Sequence, residues 1–286
     1  MEKKQKQYRS GSLKLQNMSI SSHIVLIVWS VIVLFPLYVM VINSFKDKMS
    51  IYSNTFGLPK VWNFSNYTDV LASGDFMTYF YNTFVVVVLS LALVMMLGTM
   101  VAYALANWRG RASNALYYLF IGGMMLPIKI ASIRLLEMMK LIGLLNQRWA
   151  LIPIYVAMGL PIAVFVLTEF IRQIPKELTE AAYIDGAGRF SILLRIVAPL
   201  MRPALATVAI YNLVPFWNDL WFPLIFITDE KQKTLLLGVT RLFGQYQTDW
   251  SKVLAVLTLS SIPVLTLYLL LSKQFIQGMT AGAVKG

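Results

Sequence analysis

The sequence predicts an all-α integral membrane protein with six transmembrane helices and a charged helical hairpin between the fourth and fifth. Three observations lead there. Of the 286 residues, 58% are hydrophobic and only 13% charged, where soluble domains carry about 25% charged residues. Mean hydropathy is +0.66. The 25 Lys and Arg outnumber the 13 Asp and Glu and cluster between apolar runs, the distribution that orients membrane helices rather than one that binds nucleic acid.

Residues 1–22 are polar and basic (Lys3, Lys4, Lys6, Arg9, Lys14). No small-residue cleavage site adjoins the following apolar run, so they read as a cytoplasmic tail, not a signal peptide. Ile24–Ile42 is the first span, long enough at ~1.5 Å per residue to cross ~30 Å of hydrocarbon, with Pro36 expected to kink it. Asn43–Tyr81 is external. Thr83–Ala106 is the second span, and its Gly98, Ala102 and Ala106 form a small-residue stripe that lets helices approach closely, here within the subunit. Asn107–Asn114 carries Arg109 and Arg111 and is cytoplasmic. The third span runs from Leu116 to about Ile133, with Gly122-Gly123 and Pro127 as breaks. Lys129, Arg134, Glu137 and Lys140 then interrupt the apolar pattern, and Gly143 and Asn146 mark an external turn. Trp149–Phe170 is the fourth span, interrupted at Gly159-Leu160-Pro161. Ala204–Ile227 is the fifth, Thr228–Trp250 the last external loop, and Val253–Leu271 the sixth, followed by a small-residue tail. Lys and Arg number fourteen in the segments assigned to the cytoplasm and fewer in the external ones, which places both termini inside. The chain thus divides into a tail (1–22), one transmembrane unit (23–275) and a second tail (276–286).

The stretch 174–203 is the longest charged interruption. Pro175 can open a helix, since a first-turn proline loses no hydrogen bond. Leu178, Ala181, Ala182 and Ile184 then give a small apolar face beside polar Lys176, Glu177 and Glu180. Asp185-Gly186 is a stop, because glycine reaches the left-handed conformation that ends helices. A second short helix carries Phe190, Leu193, Leu194 and Val197 on one side, with Arg189 and Arg195 beside them, and Pro199 ends or kinks it.

These residues also carry a resemblance. Glu180-Ala181-Ala182, three residues, Gly186, nine residues, then Ile196-x-Ala198-Pro199 resembles the coupling motif of bacterial ABC importer permeases. The departure is Ala198, where the family usually has leucine. The wider wording from Ile174 to Ala187 is similar to the carbohydrate-importing branch typified by maltose permease. The resemblance implies that the segment is a cytoplasmic coupling helix docking into a cleft of an ATPase subunit. Glu180 would meet the cleft, Ala181 and Ala182 would allow close contact, and Asp185-Gly186 would form the turn. It further implies a heterodimer with a second homologous permease, two ATPase subunits that hold ATP and Mg, an external solute-binding protein, and a bacterial inner-membrane location. A bare amphipathic hairpin on the bilayer surface is the alternative.

Chemistry within the spans is sparse. The absence of Cys excludes disulfides, iron–sulfur ligands and thiol nucleophiles, and the single histidine, His23, excludes a histidine triad or a multi-histidine metal site. An intramembrane enzyme built on other residues stays open. Nothing matches a phosphate-binding Gly-x-x-x-x-Gly-Lys-Ser/Thr loop, so no cofactor is expected in this chain and any ATP belongs to partners. In the fifth span, Asn212 precedes the cluster Trp217-Asn218-Asp219-x-Trp221. A carboxylate in hydrocarbon costs a few kcal/mol, so Asp219 should face a wet cavity or a partner. Aromatic faces beside amide and carboxylate acceptors suit a sugar, whereas an outer aromatic belt with Asp219 capping a broken helix is the simpler reading. Pro127, Gly159 and Pro161 break two spans at similar depth and are candidates for lining the pathway. Lys129 and Arg134 differ by about 140° around a helix and do not share a face. Arg134 can pair with Glu137, and either cation, if it faced a cavity, would favour an acidic sugar. A permease for a peptide or phosphorylated solute, or an ATP-independent transporter or channel, are the competing functions.

Overall fold

A computed structural model describes residues 20–108, 110–243 and 248–283. The basic tail lies outside them as far as Ser19, and so does Arg109.

The first helix, α1 (Ile20–Asn43), starts four residues before the expected span and buries only Ile42 and Asn43. The loop beyond it folds around two polar side chains. Asn43 Nδ2 donates to the carbonyls of Val39 and Thr55. Lys46, 1% exposed, donates through Nζ to the carbonyls of Asn54 at 2.6 Å and Gly57 at 2.7 Å, and burial pushes its ammonium below the ordinary lysine range. Asp47 caps α2 (Lys48–Ser53) by accepting from Ser50 N. Asn66, on α3 (Ser65–Ala72), donates to the carbonyls of Ser44 and Lys46 and closes the loop.

Gly74, at φ 72°, turns the chain into α4 (Asp75–Asn107). This helix begins eight residues before the expected Thr83, because Phe76, Tyr79, Asn82, Val86 and Val87 already repeat at helical spacing and are buried. α5 (Arg111–Met124) runs through Gly122 and Gly123 and ends in a turn over residues 125–127, with Met125 N donating to Gly122 O and Leu126 N to Gly123 O. A short 3₁₀ segment (Ile128–Ala131) and α6 (Ser132–Leu141) follow, and the chain bends by 82° between the two halves. The expected third span is thus broken at Pro127, as the pattern suggested, whereas Gly122 and Gly123 stay helical. Gly143 and Asn146 adopt positive φ at the following turn, as expected.

The fourth span differs in the opposite sense. α7 (Leu151–Ile171) runs unbroken through Gly159 and Pro161, so these residues do not interrupt it. Gly159 is filled from outside. A Cβ there would lie 2.6 Å from Asn212 Oδ1, 2.8 Å from Val94 Cγ2 and 3.1 Å from Phe216 Cζ. Gly98 likewise accepts Ala163, whose Cβ would be 2.9 Å away, and Ala102 is fully buried. The small-residue stripe thus serves contact between α4 and α7, the most extensive helix pair.

The hairpin consists of α8 (Lys176–Ile184), α9 (Arg189–Ile192), a π turn (Leu193–Val197) and α10 (Ala198–Leu200). After a 78° bend comes α11 (Arg202–Trp217). The fifth span does not run on to Ile227 as one helix: it stops at Trp217 and resumes as α12 (Trp221–Phe226). Residues 229–243 fold back over α4, with α13 (Leu235–Val239) inside them. Asn82 Nδ2 donates to the carbonyls of Lys231 and Lys233, and Arg241 pairs with Asp75 and Glu230. A hydrogen bond from Lys233 holds the Glu230 carboxyl below the usual carboxylate range. Finally α14 (Trp250–Ala283) continues as helix well past the expected end at Leu271.

Among the described residues, four helices are long and apolar enough to cross a membrane: Ile20–Asn43, Asp75–Asn107, Arg148–Ile171 and Trp250–Phe275. Counting each bent pair as one span raises the number to six.

Candidate functional site: an exposed hairpin and a break in the fifth span

The hairpin is fixed by its turn. Asp185 caps α8, Gly186 takes φ 82°, Gly186 N donates to Tyr183 O at 3.0 Å, and Ala187 N to Ala182 O at 2.9 Å. This pair of bonds is the Schellman closure, which needs a left-handed residue where Gly186 stands. Pro175 sits just before the helix rather than in its first turn. Within α8 only Ala182 is buried, while Glu180, Ala181, Asp185, Leu178 (46% exposed) and Ile184 (87%) face outward. The second limb is held by Ile192, Leu193 and Val197, all under 5% exposed. The apolar side expected there included Phe190 and Leu194, but both are exposed at more than half their surface. Ile196 is half-buried and Pro199 exposed. The limb stops at Leu200, one residue past Pro199, ahead of the 78° bend. The backbone widens one turn earlier, with Ala198 N donating to Leu193 O, which removes the clash a proline ring makes with the preceding turn. The outcome is a two-limbed hairpin with a charged and apolar outer surface that no described residue of this chain covers.

The second region is the gap between α11 and α12. Asp219 Oδ1 accepts from Trp221 N at 3.0 Å, capping the resumed helix. Its Oδ2 accepts from the Tyr155 hydroxyl at 2.9 Å. Trp221 Nε1 donates to Ser132 Oγ at 2.9 Å, and the Lys129 ammonium lies 5.7 Å from the centre of the Trp221 ring, within cation–π range. The bend ahead of α6, the unbroken α7 and the gap between α11 and α12 are thus tied together by one carboxylate, one cation and two aromatic donors. Asn218 is exposed beside them.

The sequence candidates divide sharply. Lys129, Asp219 and Trp221 come together. Pro127 and Pro161 line one cavity of about 600 Å³ with Gly123, Ala157 and Met158. Trp217, by contrast, is 4% exposed and donates to Ser260 O at 3.0 Å. Asn212 is 3% exposed, donates to Val208 O, and presses its oxygen against Gly159. These three are packing residues in the folded chain. Arg134 lies apart, its side chain 84% exposed and paired with Glu137 at 2.8 Å. Tyr155 and Ser132 went unnoticed in the sequence. The fourfold spacing of Tyr155, Gly159, Ala163 and Leu167 marks the buried face of α7, and a tyrosine on such a face needs a hydroxyl partner. Among the described residues no cluster of His, Cys, Asp or Glu could hold a metal ion.

Comparison with known proteins agrees with this architecture. Residues 94–281 match the family described as binding-protein-dependent transport system inner membrane component. The chain is 35% identical, over 92% of its length and 88% of the relative's, to the diacetylchitobiose uptake system permease protein of Streptomyces coelicolor. It is 35% identical, over 92% of its length and 96% of the relative's, to the multiple sugar-binding transport system permease protein of Streptococcus mutans. In three dimensions it matches a chain of a bacterial ABC transporter involved in the import of the acidic polysaccharide alginate, with a TM-score of 0.76 and 22% identity, covering 90% of this chain and 95% of that one.

Proposed function

We propose, because the chain belongs to the family of binding-protein-dependent transport system inner membrane components, that it is a membrane-embedded permease subunit of an ATP-driven importer for a sugar or oligosaccharide. The observation that carries the reading is the hairpin. It presents Glu180, Ala181 and Asp185 on an uncovered surface, and its turn has the geometry for which Gly186 is required.

In this reading the hairpin is the coupling element, α8 docks on an ATPase subunit, and the residues 23–275 form six spans, two of them bent. A second homologous permease completes a heterodimer, two ATPase subunits bind ATP and Mg, and a solute-binding protein delivers the sugar from outside. Both termini are cytoplasmic, in a bacterial inner membrane. The chain itself is non-catalytic. Closure of the ATPases on ATP moves the hairpins, and the spans pass from inward-open to outward-open. Sugar enters the exposed cavity, and hydrolysis resets it. Asn218, Asp219 and Trp221, at the break, have the aromatic and acceptor groups that a sugar's ring face and hydroxyls require, and Lys129 beside them adds a donor. The sugar-importing relatives support that substrate class.

The test is co-purification and uptake. An ATPase subunit should be recovered with the tagged chain, and Glu180→Lys should weaken that recovery and the uptake of sugar, since breaking a docked charge pair costs ~2–5 kcal/mol. Sugar uptake that continues without any ATPase would replace this reading with an ATP-independent carrier.

A further inference from the structure

The root of the hairpin carries a knot of three side chains from two helices. Tyr117, on α5, is 7% exposed, and its hydroxyl donates to Glu169 Oε1 at 2.6 Å. The same oxygen accepts from Arg172 Nη1 at 2.7 Å. The Arg172 guanidinium lies 4.7 Å from the centre of the Tyr117 ring. Phe165 stacks with the Tyr117 ring at 6.5 Å between centroids, and Tyr117 shares a small core with Leu105 and Val164. Gln173 adds a bond from Nε2 to the Glu169 carbonyl at 3.1 Å.

Position gives the knot its meaning. Glu169 and Arg172 stand at the last turn of α7, just ahead of Lys176, where the hairpin begins. Tyr117 stands on the helix that leads directly into the 82° bend at Pro127. As a helix-surface ion pair alone, Glu169 and Arg172 (45% and 35% exposed) would contribute little. The buried hydroxyl arriving from a different helix changes that. Hydrogen bonds to a charged acceptor are short and directional, and two donors on one oxygen with the cation seated on the donor's own ring form a unit that moves together.

We infer that Tyr117, Glu169 and Arg172 form a transmission joint, positioning residues that pass displacement of the hairpin to α5 and on to the bend in span three. The inference rests on the hairpin being the ATPase-docking element. It assigns these residues no contact with substrate or nucleotide.

The experiment uses the complete transporter in proteoliposomes. The chain has no Cys, so Ile130→Cys places one thiol at the bend, at a position 81% exposed. Its rate of reaction with fluorescein maleimide is followed on this subunit with and without a non-hydrolysable ATP analogue and Mg. The analogue should change that rate, and Tyr117→Phe, which keeps the ring and removes only the hydroxyl, should shrink the change by about tenfold, as loss of one hydrogen bond to a charged acceptor shifts a two-state equilibrium. ATP hydrolysis should persist in that variant. Glu169→Gln should give the same loss, and the double variant no more than either alone. A Tyr117→Phe protein whose thiol responds to nucleotide as before overturns the inference. So does an Ile130→Cys protein that never responds, because the bend then does not follow the hairpin. Failure of the ATPase to join the complex is a different result and overturns the functional reading instead.

Discussion

Replacement of Gly186 isolates a backbone effect with unusual cleanliness. At φ 82° the residue lies in the left-handed region, and both closing bonds, Gly186 N to Tyr183 O and Ala187 N to Ala182 O, depend on it. Among the described residues no heavy atom lies within 4 Å of where a Cβ would stand, so against them the cost of substitution is conformational, not steric. An ordinary L-residue there costs ~1–2 kcal/mol, equivalent to a factor of about 5–30 in the population of the closed turn. Asn tolerates the left-handed region better than Ala, and a β-branched residue tolerates it least. The expected order of coupling is therefore Gly, Asn, Ala, Val. The assay is substrate-stimulated ATP hydrolysis and uptake by the reconstituted transporter, normalised to the amount of this subunit in the membrane. Asn is larger than Ala, so conformation and size predict opposite orders for that pair. Activity falling with size, Ala above Asn, would refute the argument and place a tight intermolecular contact at Gly186. Full activity in Gly186→Val would refute both.

Further outcomes are expected elsewhere. Cysteine at Ser191 should resist impermeant thiol reagents in intact cells while cysteine at Ser73 reacts, and the reverse pattern would invert the proposed orientation. Gly159→Ala should lower the melting temperature of the detergent-solubilised protein, because overpacking against Asn212, Val94 and Phe216 costs ~1–3 kcal/mol. Gly122→Ala, with nothing within 4 Å, should not lower it, and equal loss in the two would discredit the packing account. Arg134→Gln should leave uptake nearly unchanged, since an exposed pair contributes ~0–1 kcal/mol. Lys129→Gln, beside Asp219 and Trp221, should alter uptake and the preference between an acidic sugar and its neutral counterpart. An unaltered preference ends the case for Lys129 as a selectivity residue.

What could be read from the sequence follows physical range. Apolar runs and the Asp185-Gly186 stop are local, and each appears in the structure at or near its expected place. Gly159 and Pro161 misled because a break is inferred from the residue itself, whereas here the neighbouring helices fill the gap at Gly159 and α7 carries on. Trp217 and Asn212 misled for a related reason. Their polar groups find partners within the chain, Ser260 O and Val208 O, and no spacing rule reveals that. The Asp219 cap was legible, since an acidic residue two positions before Trp221 can serve its N–H. Its second partner, Tyr155, is 64 residues away and became visible only when the helices were assembled.

The loop held by Lys46 has a consequence in acid–base behaviour. Of the three N–H bonds of its ammonium, two go to the carbonyls of Asn54 and Gly57. Because burial lowers its pKa, there is an interval below the ordinary lysine value in which the unfolded segment still binds a proton that the folded loop has released. Across that interval stability rises with pH. A neutral amine keeps two N–H donors, one for each carbonyl. Alkali would therefore take away the charge, and with it the penalty of burying it, and leave both bonds in place.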